Sequence, residues 1–274
     1  MKSFVQLTDT HIRAKGQLAY KRVDTAEFLA KAVSSIESMY LKPDAVILTG
    51  DLTDFGRVEE YEHLAELLEP LTMPYYLLPG NHDAPDVMRA CFTGHDYLGQ
   101  AGQPIQYTLD IGEIFVVAID TSVYGQSAGA LCQTRLQWLA DTLASNPGRP
   151  TVIAMHHPPF TTYIEHMDGI GLLEGKDAFV EIVSKHSQIE RIICGHLHRS
   201  IDARIAHTIA STAPSPAHQV ELNLKPGGAS AWLLEPPAFK VHAWQANNGL
   251  VSHLAYVGEF DGPYPFHEDG KLID

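Results

Sequence analysis

Thiols are scarce in this chain. Cys91, Cys132 and Cys194 are its only cysteines, odd in number, widely spaced and in no C-x-x-C pair. That excludes a disulfide framework and points to the reducing cytoplasm. Basic residues are also few: 19 Lys and Arg stand against 33 Asp and Glu, a formal charge of −14. Such a chain is not built to bind a nucleic-acid polymer or an anionic membrane surface. No apolar run of about eighteen residues is present to span a bilayer. The N-terminus passes directly from Ser3-Phe-Val-Gln-Leu into a polar motif, so a removable signal peptide is not expected either. Pro/Gly/Ser-rich linkers, internal repeats and low-complexity tracts are missing. The 274 residues, 45% hydrophobic, are therefore expected to form a single domain over 1–274, with 220–274 a strand-rich C-terminal elaboration.

What the chain does have is a regular alternation. Apolar runs suited to strands occur at residues 3–7, 45–48, 75–78, 114–119, 152–155 and 192–194. Between them, residues 24–40 repeat Ala26, Leu29, Ala30, Val33 and Ile36 at helical spacing behind a capping box of Asp24 and Glu27. Val58/Tyr61/Leu64/Ala65/Leu68 and Leu136/Leu139/Ala140/Leu143 are further helical stripes. This alternation predicts βαβ units. After residue 200 it gives way to short strand-like runs over 200–210, 217–222, 229–234, 239–244 and 250–257, separated by Pro and Gly. These predict a second sheet built from hairpins. Helices outside two packed sheets make the expected fold α/β, a four-layer α/β/β/α sandwich.

Five polar motifs close five of the apolar runs: Asp9-Thr-His11, Gly50-Asp51, Gly80-Asn81-His82-Asp83, His156-His157-Pro158 and Gly195-His196-Leu197-His198. In open α/β sheets, ligands bind beyond the carboxyl ends of the strands, so these motifs are expected to converge. Their carboxylate, amide and imidazole donors suffice for two divalent ions and suit Mn, Fe, Zn or Co. Residues i and i+2 of an extended strand end share a side, so Asp9 and His11 are expected to face one metal together, and His196 and His198 repeat the spacing. Asp51 is expected to bridge the pair by giving one carboxylate oxygen to each ion. Asn81 offers a neutral oxygen that leaves the metal more Lewis-acidic. The neighbouring His156 and His157 diverge on an extended segment, so only one is a ligand. His82 could bond a phosphoryl oxygen or protonate a leaving alkoxide, with Asp83 or another carboxylate orienting its ring. His63, His186, His242 and His253 have no partner pattern and read as structural or surface histidines.

The series D-x-H, G-D, G-N-H-[DE], H and G-H-x-H is matched here in full and in order, and resembles the metallophosphoesterase (calcineurin-like) superfamily. Within it the chain is most similar to the bacterial class III cyclic-nucleotide phosphodiesterases and glycerophosphodiester phosphodiesterases. The likeness runs through residues 3–11, 43–51, Gly56-Arg57 with Glu59-Glu60-Tyr61, 75–83, 155–159 and His218-Gln219, covering residues 1–220. It implies that Asp9, His11, Asp51 and His198 hold one ion and that Asp51, Asn81, His156 and His196 hold the other. It further implies that His82 and His218 approach the substrate, that Tyr20 lies near the site, and that the protein is a homo-oligomer. Two positions depart from relatives outside this group. Phe55 replaces the phosphate-binding arginine of the protein phosphatases, which removes a partner for a monoester dianion. Asp54 stands where purple acid phosphatases place a ligand tyrosine.

The expected reaction is attack of a metal-bound hydroxide on the phosphorus of a small phosphodiester, a 3′,5′-cyclic nucleotide or a glycerophosphodiester, with His82 or His218 protonating the leaving alkoxide. The alternative is a phosphomonoesterase or nucleotidase using the same ions. A non-catalytic interaction scaffold is disfavoured because all seven ligand positions are intact. Arg13, Lys15, Lys21 and Arg22 follow the first motif and form either a solvated loop or a contact to the substrate. Phe260, Tyr264 and Phe266, set among acids and prolines in 258–274, are expected to form a subunit contact or a lid.

Overall fold

Each parallel strand of the first sheet ends where a polar motif begins. The computed structural model describes residues 1–273; Asp274, the last residue of the expected 1–274 domain and of its tail, lies outside the described residues. Strands β1 (Lys2–Leu7), β2 (Ala45–Thr49) and β3 (Tyr75–Leu78) pair in parallel. They are joined by helices α1 (Thr25–Glu37) and α2 (Val58–Leu68). Asp24 caps α1 by accepting the Glu27 backbone N–H at 3.1 Å, as the capping pattern predicts. Helix α3 (Pro85–Cys91) follows β3.

The second sheet begins with the hairpin β4 (Tyr107–Ile111) and β5 (Ile114–Ala118). Next come the short β6 (Gly129–Ala130), helix α4 (Gln133–Ala144) and β7 (Thr151–Ala154). One turn of helix, α5 (Glu165–Asp168), precedes β8 (Leu172–Glu174), α6 (Lys176–Ser184) and β9 (Ile189–Cys194). The period-two side-chain alternation sorts this sheet's residues between two cores. Val116, Ala118, Val152, Ala154 and Ile193 join the core shared with the first sheet. Phe115, Val117, Ile119, Ile153 and Ile192 join Leu139, Leu143, Phe179 and Val183 under α4 and α6. With α1 to α3 against the first sheet, the result is the expected four-layer α/β/β/α sandwich.

The C-terminal strands depart from expectation, because they form no second sheet of their own. β10 (Ile201–Ile205) and β11 (Thr208–Thr212) extend the second sheet, in the order β10-β11-β9-β7-β5-β4. β12 (Gln219–Val220) and β13 (Trp232–Leu233) make a separate two-stranded ribbon. β14 (Ala238–Gln245) and β15 (Gly249–Tyr256) extend the first sheet, in the order β15-β14-β1-β2-β3. β14 runs antiparallel to β1, from Lys2 opposite Trp244 to Gln6 opposite Lys240. The reason is that each parallel sheet leaves one edge of unpaired N–H and C=O groups, at β1 and at β9, and the late strands satisfy them. The tail ends in a small hairpin of β16 (His267–Glu268) and β17 (Lys271–Leu272). Phe260, Tyr264 and Phe266 are 69%, 70% and 81% exposed. Among the described residues, no helix is long and apolar enough to cross a membrane.

Candidate metal centre

The turns after β1, β2 and β9 put their polar side chains into one hollow through unusual backbone. Asp9, His11, Asp51, His196 and His198 all have positive φ, +53°, +45°, +50°, +70° and +50°. A left-handed conformation costs a non-glycine residue about 1–3 kcal/mol and persists only where its surroundings impose it. Two residues past the end of β1, the i, i+2 rule of extended strands therefore no longer applies to Asp9 and His11, and tight turns aim their side chains instead. Backbone bonds hold the turns together: Asp9 N–H donates to Gly50 O at 2.9 Å and His11 N–H to Asp51 O at 3.0 Å. The Asp9 carboxylate in turn accepts the His196 N–H at 3.0 Å. Gly50, at φ +95°, lies where a Cβ would strike the His156 ring, and a Cβ on Gly80 would strike Asp51. Close approach thus requires glycine in both the Gly-Asp and the Gly-Asn motifs, and at Gly50 the left-handed backbone requires it as well.

All seven expected ligands come together, in two groups. In the first, His198 Nε2 is 3.6 Å from Asp9 Oδ1, His11 Nε2 is 3.7 Å from Asp51 Oδ2, and the two Nε2 atoms are 3.2 Å apart. In the second, Asn81 Oδ1 is 3.2 Å from His156 Nε2 and 3.1 Å from His196 Nδ1. His156 Nε2 lies 3.3 Å from Asp51 Oδ2. One oxygen of Asp51, Oδ2, therefore faces both groups. The other, Oδ1, is occupied by the His82 backbone N–H at 2.8 Å.

The donor atoms fit divalent cations. His156 Nδ1 is 2.8 Å from Thr49 O and His198 Nδ1 is 2.9 Å from His218 O, and only an N–H can satisfy a carbonyl. That fixes the tautomers and leaves the Nε2 lone pairs of both rings facing other acceptors. Burial, then the neighbouring His156, push His196 down to about 3, and burial with His218 and His11 pushes His198 well below the usual range. Burial raises Asp9 to about 6. Burial also works to raise the Asp51 carboxyl, but His156, His82 and His11 together carry it well below the usual range. Burial works to lower His156 and His11 as well, but Asp51 raises His156 to about 9 and Asp54 with Asp51 raises His11. Without an ion these two rings therefore take up protons where the donor set, with no lysine or arginine lining the hollow, is arranged for positive charge.

Beside the donors, His82 keeps a 37% exposed side chain and holds Nδ1 2.9 Å from Asp54 O. Asp83, expected to orient it, does not face its ring. The Asp83 carboxylate is fully buried and accepts from the Leu52, Thr53 and Gly80 N–H groups and from the Thr53 and Tyr61 hydroxyls, so it ties two motif loops together. The carboxylate near the site is that of Asp54, which lies 3.3 Å from His11 Nδ1, 3.9 Å from His82 Nδ1 and 2.9 Å from Arg13 Nη1. His218 is buried, its ring 4.6 Å from that of His198, and burial with His11 pushes it down to about 3. Tyr20 stands 5.0 Å from the His218 ring, and its hydroxyl is pushed up to about 12 by burial and by Asp54, Asp51 and Asp9. His157 is spoken for, between Thr121 Oγ1 at 2.8 Å and Ser127 O at 3.1 Å. Arg13 pairs with Asp54 and Glu60, and Lys15 with Glu66, which turns these two cations away from a substrate role.

The hollow has a volume of about 230 Å³ and is also lined by His166, Met167, Ile170 and Trp232, which no sequence motif marks. A hollow of about 610 Å³ lined by Arg13, Lys21, Asp54 and Phe55 shares Tyr20 and His82 with it, while hollows of about 570 Å³ and 540 Å³ lie elsewhere on the surface without such a set of convergent donors.

Two donor groups able to hold metal ions share a carboxylate oxygen at strand ends of a four-layer sandwich, an arrangement that fits a metal-dependent hydrolase of phosphate esters. The sequence agrees, matching the pattern of the calcineurin-like phosphoesterases over residues 2–200, and the chain belongs to that family. It is 38% identical over 271 residues to a probable glycerophosphodiester phosphodiesterase, GpdQ, of Arcobacter nitrofigilis, covering 98% of this chain and 99% of that one. It is 32% identical over 274 residues to a probable cyclic nucleotide phosphodiesterase of Rhodopseudomonas palustris, covering 98% and 97%. Among solved structures, a dimetal phosphatase from Danio rerio superposes with a TM-score of 0.62 over 94% of this chain and 99% of that one. At 15% identity that likeness shows the fold.

Proposed function

We propose that this protein hydrolyses small phosphodiesters, glycerophosphodiesters or 3′,5′-cyclic nucleotides, using two divalent ions drawn from Mn, Fe, Zn and Co. Asp9, His11, Asp51 and His198 would hold one ion, and Asp51, Asn81, His156 and His196 the other. The observation that carries the reading is the convergence of both groups on Asp51 Oδ2 in a hollow lined by no lysine or arginine. A diester brings one negative charge to the ions, whereas a monoester dianion asks for a further cation where this chain has Phe55. The ions, when bound, neutralise phosphoryl oxygens and make hydroxide available at neutral pH. The relatives named as glycerophosphodiester and cyclic nucleotide phosphodiesterases support the same substrate class.

The chain's own part is positioning and proton handling. His82, its Nδ1 set against Asp54 O, has Nε2 free to donate a proton to the departing alkoxide when the ring is protonated. His218, kept neutral by burial, lines the same hollow and supports His198 through its backbone carbonyl. The free thiols of Cys91, Cys132 and Cys194 support a cytoplasmic setting. Strand β15, an edge without a single charged side chain, and the exposed aromatics after it support self-association as a homo-oligomer.

The test is side-by-side hydrolysis of bis(p-nitrophenyl) phosphate and p-nitrophenyl phosphate by metal-stripped protein reloaded with Mn²⁺, with a chelated control. Chelator-sensitive turnover favouring the diester is expected. Monoester preference would make the protein a phosphatase instead, and no turnover of either would make it a scaffold.

A further inference from the structure

Much of the hollow that holds the donors is apolar and belongs to none of the motifs. Met167, Ile170, Val220, Ala231 and Trp232 line it, and the lining carries no acid beyond the ligand Asp51. The Trp232 indole lies on the Tyr20 ring, centroids 5.2 Å apart and planes inclined by 28°. Both rings then meet His218 edge-on, Tyr20 at 5.0 Å and Trp232 at 5.8 Å. The ribbon of β12 and β13 fixes the indole, with Val220 opposite Trp232, and β12 begins immediately after His218. Tyr20 sits in left-handed backbone at φ +50°, followed by Lys21 at +59°. Two successive bulky residues in that region are costly, and such strain collects where a side chain must be held in one place. Tyr20 is 44% exposed and Trp232 half-buried, so the pair presents aromatic surface at the site instead of filling a core.

We infer that Trp232 determines substrate specificity: with Tyr20 it forms an aromatic wall beside the phosphate seat that holds one ester substituent, favouring an uncharged planar group, aryl or heteroaromatic, over a short alkyl or an anionic one. The inference rests on the phosphodiesterase reading for the position of the phosphate and adds what lies next to it. A charged substituent would lose hydration against the apolar face of this wall. A planar one stacks, and stacking adds to the apolar area it covers.

Binding of phenylphosphonate and methylphosphonate to the Mn²⁺-loaded protein tests this, read by titration calorimetry, because neither probe has an ester to cleave and they differ only in the substituent. The intact protein is expected to prefer phenylphosphonate by about two- to tenfold, the range a ring–ring contact supplies. Trp232→Ala is expected to bring that ratio to about one with methylphosphonate affinity unchanged, and Trp232→Phe to keep most of it. Because Trp232 also touches the small cluster of Ala19, Val23 and Ala217, the Phe variant separates loss of the wall from loss of packing. An unchanged ratio in Trp232→Ala, equal weakening of both probes, or no preference in the intact protein overturns the inference. Turnover of bis(p-nitrophenyl) phosphate by the same preparation is the separate check. Turnover without a phenyl preference, whether or not the probes bind, sinks the wall alone, a preference without turnover sinks the phosphodiesterase reading alone, and neither probe bound with no turnover sinks both.

Discussion

The backbone N–H of His82 donates to Asp51 Oδ1 at 2.8 Å, so the side chain proposed to meet the substrate is anchored on the carboxylate that faces both donor groups. A movement of either residue is transmitted to the other. Position and charge in this site are therefore set together, and variants divide according to which of the two they disturb.

His82→Ala removes the imidazole and keeps the backbone N–H that holds Asp51. It is expected to lower kcat on a diester with an alkoxide leaving group by about 10²- to 10⁴-fold. Metal content, measured by elemental analysis, should stay as in the parent. A smaller loss on p-nitrophenyl esters, whose leaving group needs no proton, would identify the missing function as acid catalysis; equal losses on both would exclude it.

Asp54→Asn tests the carboxylate that replaces Asp83 in the site. Asp54 Oδ1 lies 3.3 Å from His11 Nδ1, a contact that holds the ring of a metal-facing histidine in place. Outer partners of this kind are worth about 10- to 100-fold in metal affinity, so a loss of that size is expected in a competition titration with a chromophoric chelator. Unchanged affinity would leave Asp54 with only its pairing to Arg13.

Gly50→Ala adds one methyl group where it would strike the His156 ring, at a backbone angle that favours glycine. The expected outcome is a loss of about 2–4 kcal/mol in denaturant unfolding of the metal-free protein, since strain and overpacking act together. A variant as stable as the parent would mean that the His156 loop can shift to make room.

His242 should make the metal-free protein acid-sensitive. It is fully buried, stacked on Phe4 at 4.7 Å and bonded to Ser252 Oγ and Gln6 Oε1. Burial, then Lys240 and Arg191, hold it well below the usual histidine value. The unfolded chain takes up a proton there below its ordinary value of 6.5 while the folded chain does not. Its contribution is therefore complete above that value and is lost as pH falls, at up to about 1.4 kcal/mol per pH unit. Between pH 7.5 and 5.5, His242→Gln should lose less stability in urea than the parent does. Equal losses would assign the acid sensitivity to other histidines.

Much of this was legible in the sequence, for reasons that differ from residue to residue. The ligand motifs could be read because strand ends in an α/β sheet collect polar side chains, and all seven positions do converge. Their geometry could not, since five of them occupy left-handed backbone, which spacing alone does not reveal. Asp83 was misjudged because a motif gives neighbours in sequence, and its carboxylate turns inward to the Leu52, Thr53 and Gly80 amides. Asp54 reaches His11 across 43 residues, and Trp232 reaches Tyr20 from a ribbon in the C-terminal part, so neither leaves a local signal. The late strands were recognisable as strands. Their partners were not, because an edge such as that of β1 accepts any strand of suitable length and character.

That edge also sets the order in which the molecule can be completed as it leaves the ribosome. The last metal-facing residue is His198, whereas the strand that covers β1 ends at Gln245. For the final stretch of synthesis a nascent chain carries every donor of the centre while its first strand remains an open template for a neighbouring polypeptide. The centre can be complete in composition before the sheet beneath it is closed.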